Sequence, residues 1–218
     1  SKRVTFLLLG EKDGLSDSIM LIRAGPEEIA GIGVPRDTYW KGLKLNQLYY
    51  AEGARALARA ITEITGIAID HRIRVGMEGF AEMVRAFGTI RVDVQEEIVD
   101  PTMTYRVDGN KRMLYLPPGT HELNAPGVLA FARSRRTSSD FDRAERQLQI
   151  VQGLRRRMEA VALTDAGRLY ELLRSVLGHT RSNVTFDEAL DYVRRFRGVE
   201  DTRHMVLSTD NVFSSTYE

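Results

Sequence analysis

The sequence predicts an α/β fold: a single-domain α-β-α sandwich with a mixed central sheet and helices on both of its faces. Three observations predict it. The segment Arg3 to Leu9 holds a continuous apolar run of strand length, which suits a strand covered on both faces. Strand-like segments then alternate with longer helical patterns. The 218 residues are 43% hydrophobic and 28% charged, sufficient for a core within one domain over residues 1–218.

Gly10 ends the first strand, and the polar stretch Glu11 to Asp17, with Gly14 inside it, reads as a loop. Ser18 to Ile22 reads as the second strand. Gly25-Pro26 marks a turn, and Ile29 to Val34 reads as the third. Pro35 stops that ladder and sends Arg36 and Asp37 beyond the strand end. A helix is predicted from about Gln47 to Thr65, where Leu48, Ala51, Arg55, Ala58 and Thr62 recur at three- and four-residue steps. Gly66 suits its C-terminal cap. Ile67 to Val75 reads as a strand, Glu78 to Phe87 as a helix ended by Gly88, and Ile90 to Val94 as a half-buried alternating strand.

Pro101 to Pro118 predicts a hairpin around Asp108-Gly109. Asn124 is placed to cap a short helix with Pro126 in its first turn. That helix carries Val128, Leu129, Phe131 and Ala132 and ends near a group of arginines. A loop over Thr137 to Ser139 leads to a longer helix with Ala144, Leu148 and Val151 as its apolar stripe. Asp140, Arg143 and Gln147 share another face of it at i, i+3 and i+7. Two further helical patterns cover about Asp165 to Leu177 and Phe186 to Phe196, and a last strand is expected over His204 to Leu207.

Composition excludes several classes of function. A net charge of +1 lacks the basic excess of a protein that coats nucleic acid, and no DNA-reading motif is present. The absence of cysteine excludes disulfides, thiol nucleophiles and cysteine metal sites. The run from Val4 to Leu9 is far too short to cross a bilayer. His71, His121, His179 and His204 each stand alone and form no metal-spaced pair.

The chemistry-bearing segment is residues 133–147, where five arginines fall within fifteen residues among Asp140, Asp142 and Glu145. A planar guanidinium forks onto phosphate oxygens, so converging arginines point to a phosphate or pyrophosphate. Other polar residues expected at strand ends and helix starts are Asp13, Asp17, Arg36, Asp37, Lys44 and Asn46. In an open α/β sheet, ligands bind beyond the carboxyl ends of the strands. Arginines and carboxylates together there suit a metal–pyrophosphate site, with the carboxylates on a hard cation such as Mg²⁺. The bland alternatives are a capping role for Asp17, a surface ion pair for Arg36-Asp37, and helix-face pairing of Asp140 with Arg143. Arg155 to Arg157 reads as a solvated helix face.

The chain also resembles a known family. The run Leu116-Pro-Pro-Gly119, then Leu123-Asn124, Leu129-Ala-Phe-Ala-Arg-Ser-Arg135 and Asp140-Phe-Asp-Arg-Ala-Glu-Arg-Gln147 is similar to the LytR-CpsA-Psr family. So are Leu7 to Gly10, Ser16 to Leu21, Val34-Pro-Arg-Asp-Thr38, Lys44-Leu-Asn46, Ile69-Asp-His71 and Met77-Glu-Gly-Phe80, in family order. The resemblance implies a phosphotransferase that moves a glycopolymer, such as teichoic acid, from a polyprenyl-pyrophosphate carrier to bacterial peptidoglycan. Polyprenyl phosphate is released, Mg²⁺ assists, and pyrophosphatase activity can accompany transfer. It further implies an extracytoplasmic domain behind an N-terminal membrane anchor, with an apolar tunnel for the prenyl chain. By motif match, Arg36, Arg133, Arg135 and Arg143 bind the pyrophosphate with Gln147 beside them. Asp17 serves the Mg²⁺ site, Asp140 orients Arg143 or Arg135, and Lys44 contributes to substrate binding.

The first loop departs from the family pattern. Lys12 stands where the family has Gly-x-Asp, and Leu15 where it has an arginine. Glu11 or Asp13 is then the candidate second carboxylate, with Asp13 taken beside Asp17. The competing expectation is a catalytically weak module that holds polyprenyl phosphate without transfer.

Overall fold

The computed structural model describes residues 3–134 and 140–208, apart from the side chains of Asp140, Phe141 and Asp201. Its first half runs β1 (Val4–Lys12), β2 (Leu15–Ala24), β3 (Glu28–Val34), β4 (Tyr39–Trp40), β5 (Leu43–Lys44), α1 (Leu45–Thr65), β6 (His71–Gly76), α2 (Met77–Phe87), β7 (Ile90–Val94) and β8 (Ile98–Val107). It continues through β9 (Asn110–Leu116), β10 (Gly119–Leu123), α3 (Ala125–Arg133), α4 (Asp140–Thr164), α5 (Ala166–Gly178), β11 (Arg181–Ser182), α6 (Phe186–Arg195) and β12 (Asp201–Val206). The expected loop over Thr137 to Ser139 lies outside the described residues. The chain gathers into two units, one of Ser1–Met77 with Thr180–Glu218 and one of Glu78–His179.

The first unit is a six-stranded mixed sheet in the order β11-β6-β1-β2-β3-β12. β1 is antiparallel to β2 and parallel to β6, while β3 is antiparallel to β2 and parallel to β12. The apolar run of β1 serves two layers at once. Leu7 and Leu9 join Ile19 and Leu21 of β2 against Leu48, Leu57 and Ile61 of α1. Val4 and Phe6 face the other way and pack with Ile22, Ala24, Tyr192 of α6 and Phe196. Helices therefore cover both faces of the sheet, as the unalternating run predicts. Leu7, Leu9 and Leu21 are fully buried, each worth about 1.5–3 kcal/mol relative to exposure.

The loop expected over Glu11 to Asp17 is instead hairpin. β1 continues to Lys12 and β2 starts at Leu15, so Asp13 and Gly14 alone make the turn. Both hold positive φ, 53° and 78°, as a two-residue type I′ turn requires and as Asp-Gly readily adopts. Gly10 pairs with Ser18 and Glu11 with Ser16, which leaves Asp17 as the extra residue of a β-bulge. β6 also starts later than predicted, at His71 rather than Ile67. The reason is Asp70, whose Oδ2 accepts the Thr5 N–H at 2.8 Å and so caps the ladder below His71.

The second unit packs α2, α3, α4 and α5 around two antiparallel pairs, β7 with β10 and β8 with β9. Val84, Ile90, Leu114, Val128, Phe131 and Ile150 are central to its core. The β8–β9 hairpin turns at Asp108-Gly109 as predicted. Asn124 caps α3, its Oδ1 accepting the Gly127 N–H at 3.0 Å.

α4 lies so close to β7 that a Cβ at Gly153 would stand 2.6 Å from Ile90 Cγ2 and 2.9 Å from the Arg91 carbonyl oxygen. Ala for Gly inside a helix is ordinarily favourable by up to about 1 kcal/mol. Here the sign should reverse. Gly153→Ala should lose about 1–3 kcal/mol in urea unfolding. Gly178→Ala, where a Cβ meets nothing within 4 Å, should lose nothing; equal behaviour of the two variants would refute this packing.

Candidate functional site

In the first unit the candidate groups converge on Arg36. Ile19 of β2 lies opposite Val34 of β3. Continuing that register two residues past the strand end brings Arg36 level with Asp17, and the bulge turns Asp17 out of the ladder toward it. Arg36 Nη1 donates to Asp17 Oδ1 in a close ion pair. Asp37 Oδ2 is 3.8 Å from Arg36 Nε, and Asp37 Oδ1 is 3.6 Å from Lys44 Nζ. Asn46 joins from the first turn of α1: its Nδ2 donates to Asp37 Oδ1 at 3.4 Å, and its backbone N–H to the Arg36 carbonyl at 3.0 Å. Arg36, Asp37, Lys44, Asn46 and Asp17 are thus one connected group, assembled from a bulge, a strand end and a helix start.

Arg36 Nε is buried and has no hydrogen-bond partner among the described residues. An unsatisfied buried donor on a charged group is costly, so this nitrogen is suited to an oxyanion. Asp13 sits exposed at the hairpin tip, apart from this group. Glu11, the other candidate carboxylate, is engaged elsewhere. Tyr49 donates its hydroxyl to Glu11 Oε1, and Arg74 Nη1 stands 3.8 Å from the same oxygen. Burial, then the bond to Glu11, pushes the Tyr49 phenol above its usual pKa, which keeps it a proton donor at neutral pH.

Among the described residues no three His, Asp or Glu side chains gather into a metal cage. A single available carboxylate is still compatible with Mg²⁺, which commonly binds one or two carboxylates and completes its shell with phosphate and water. Asp17 has that character, since Arg36 engages only its Oδ1.

In the second unit Arg133 ends α3 and is exposed, in the last turn where a cation complements the helix dipole. Arg143 and Gln147 lie on α4, Arg143 buried and Gln147 half-buried. Of the three arginines in this unit placed on the ligand by sequence, two are described, and of these Arg133 is open to solvent while Arg143 is buried. Arg135 lies outside the described residues. Asp140 is the first residue of α4, and its side chain lies outside them too.

The arrangement also contains a group that sequence reasoning passed over, Arg146. It is buried, and its Nε donates to the Phe131 carbonyl at 3.1 Å while its Nη2 donates to the Ser134 carbonyl. These are terminal carbonyls of α3, which have no partner within the helix. Ser134 is held a second way, its Oγ donating to Asp100 Oδ2 at 2.8 Å. Arg146 thereby fixes the backbone on either side of Arg133 to the helix that carries Arg143 and Gln147. Burial pushes its pKa down, Asp142 opposes that and Arg143 adds to it, yet a guanidinium remains charged at neutral pH. Its spacing of three from Arg143 was visible in the sequence, but nothing there separates a ligand-binding arginine from one that caps a helix.

Residues 2–216 match the model described as the LytR_cpsA_psr family. The chain belongs to the LytR-CpsA-Psr family. Among curated relatives, it is 29% identical over 213 residues to the polyisoprenyl-teichoic acid--peptidoglycan teichoic acid transferase TagU of Bacillus anthracis (strain CDC 684 / NRRL 3495). That alignment covers 90% of this chain and 66% of TagU, so the chain spans just under two thirds of the curated relative's length. Among solved structures, TagV of B. subtilis superposes with a TM-score of 0.80 at 23% identity, covering 95% of this chain and 85% of TagV. The LytR-Csp2A-Psr enzyme from Actinomyces oris gives 0.74 at 23% identity, covering 94% and 80%. These likenesses show that the α/β architecture is the family's. No helix among the described residues is long and apolar enough to cross a membrane.

If Arg146 ties α3 to α4, Arg146→Ala should cost about 2–3 kcal/mol by urea denaturation, the loss of charge-assisted bonds to buried carbonyls. Arg146→Lys should recover only part of it, because an ammonium cannot reproduce the fork. Wild-type stability in the alanine variant would show these bonds to be dispensable.

Proposed function

We propose that this protein transfers a glycopolymer from a polyprenyl-pyrophosphate carrier to peptidoglycan, releasing polyprenyl phosphate. The observation that carries this is the family match across residues 2–216, together with the transferase activity named for TagU. In the proposed reaction an acceptor sugar hydroxyl attacks the phosphorus that bears the glycopolymer. A phosphodiester bond forms there, the bond to the bridging oxygen of the pyrophosphate breaks, and polyprenyl phosphate departs with the electron pair. The hydroxyl proton passes to solvent or to the leaving phosphate. Water in place of the acceptor gives the pyrophosphatase side reaction.

Such a transfer needs little covalent help from the protein and mostly positioning and charge neutralisation. Arg36, Arg133, Arg135 and Arg143 are assigned to the pyrophosphate oxygens, with Gln147 as a neutral donor. The buried Nε of Arg36, which has no hydrogen-bond partner among the described residues, supports that role. Lys44 is assigned to substrate binding, and Asp140 to orienting Arg143 or Arg135. Asp17 is assigned to Mg²⁺, which when bound would neutralise phosphate charge; Asp13, exposed on its turn, is the weaker second ligand. An apolar tunnel for the prenyl chain is part of the same proposal, with about 0.8 kcal/mol gained per buried CH₂. The proposed setting is the extracytoplasmic face of the membrane, reached through an anchor.

The experiment is release of polyprenyl phosphate from a polyprenyl-pyrophosphate oligosaccharide with acceptor glycan, in Mg²⁺ and in chelator. Metal-stimulated release with sugar joined to the acceptor is expected. Binding without release in either condition, beside an active family member, would instead establish the carrier-holding module. Arg133→Ala is the cleanest variant because Arg133 is exposed. It should lower turnover about 100-fold or more and leave unfolding within about 0.5 kcal/mol of wild type; undiminished turnover would move the pyrophosphate elsewhere.

A further inference from the structure

The β8–β9 hairpin carries an exposed face that the proposed transfer chemistry does not use. The cross-strand pairs Val99 with Tyr115, Thr104 with Met113 and Arg106 with Lys111 share it. The opposite face buries Leu114 and Leu116 in the core. Tyr115 and Met113 are 50% and 46% exposed, and Thr104, Arg106 and Lys111 are exposed as well. At about 3.4 Å per residue the row from Lys111 to Tyr115 is about 14 Å long.

Its chemistry is graded. Arg106 and Lys111 stand directly opposite each other at the tip, and like charges so placed repel. Arg106 donates to the Gly109 carbonyl at 2.9 Å, and among the described residues neither cation has a carboxylate partner. Residues 104–113 hold three cations, Arg106, Lys111 and Arg112, against one carboxylate, Asp108, a local excess in a chain whose net charge is only +1. At the other end Tyr115 presents its half-exposed ring. An anion seated between the two cations would relieve their repulsion, and a sugar ring can lay its C–H face on the tyrosine.

The hairpin is also tied to the arginine helix. Asn124, the cap of α3, donates to the Arg106 carbonyl at 3.3 Å. Arg133 lies at the other end of α3, about 13 Å away along the axis at 1.5 Å per residue. An extended polymer can span that separation; a pyrophosphate cannot.

We propose that this face binds the phosphate-bearing glycopolymer chain, with Arg106 and Lys111 on a phosphodiester and Tyr115 on a sugar. The proposal rests on the transferase reading above and adds to it a polymer-binding surface on this hairpin. A nucleic-acid strand could use the same residue types by stacking bases on Tyr115, but it has no support in the overall charge.

The test is equilibrium binding of the full chain to glucosylated poly(glycerol phosphate), to the unglucosylated polymer, to uncharged dextran and to oligo-dT. Arg106→Gln with Lys111→Gln should weaken binding of both phosphate polymers about tenfold or more. It should also flatten the slope of log affinity against log salt by about one for each cation removed. Tyr115→Ala should weaken the glucosylated polymer and leave the unglucosylated one unchanged. Binding insensitive to these substitutions would overturn the proposal, as would dextran binding equal to that of the phosphate polymers. Oligo-dT binding as tight as the polymer's, and lost in Tyr115→Ala, would assign the face to nucleic acid instead. Free-polymer binding requires no turnover. A chain that binds polymer but never transfers it would sink the transferase reading and leave this surface standing. Normal transfer with variant-insensitive binding would sink the surface alone.

Discussion

The register of β1, β2 and β3 is the constraint on which the first unit depends. Side chains alternate along a strand, so a slip of one residue would carry Leu7 and Leu9 from the α1 face to the α6 face and bring Phe6 the other way. Both layers would then be wrong at once. Apolar burial on two faces therefore locks the register more firmly than one buried face could. The Asp13-Gly14 turn locks it again from the end. The ion pair of Asp17 with Arg36 is a consequence of that lock. It forms because a bulge falls at one residue of β2 and the chain leaves β3 two residues after Val34. A polar group whose members come from three elements needs a scaffold that cannot slide.

The second unit solves the same problem by a different interaction. Arg133 stands at a helix terminus, where backbone carbonyls lack intrahelical partners and the chain is free to fray. Arg146 and the Ser134–Asp100 contact fill those needs from α4 and β8. Within one short segment, then, arginines divide by task. Arg133 is exposed, and Arg146 is buried on carbonyls. A basic cluster is a mixture of ligand-facing and framework residues, and burial with hydrogen-bond geometry is what sorts them.

The departure of this chain from its family's first-loop pattern has a structural counterpart. With only two residues in the turn, Glu11 and Lys12 belong to a paired strand, not to a loop free to approach a ligand. Glu11 is held by Tyr49 and lies beside Arg74. The carboxylate left close to Arg36 from this segment is Asp17, so this hairpin offers a leaner donor set than a long acidic loop could.

Much of this was determined by the sequence alone. The unalternating Arg3–Leu9 run, the helical periodicities, the Asn124 cap and the Asp108-Gly109 turn are local signals, and each element formed where its signal lay. The ordered motifs also carried the family, because they record residue identities and not contacts. Only the tertiary structure decided the rest. The Asp13-Gly14 hairpin was hidden inside a polar stretch that also reads as loop, and strands of two residues such as β4, β5 and β11 are too short to show a period. The start of β6 depended on a side chain, Asp70, capping another strand sixty-five residues away. The pairing of Asp17 with Arg36, and the burial of Arg143 and Arg146 beside an exposed Arg133, depend on which strand lies next to which and on what covers a helix end. Those are properties of packing between distant segments, and spacing along the chain does not encode them in any readable way.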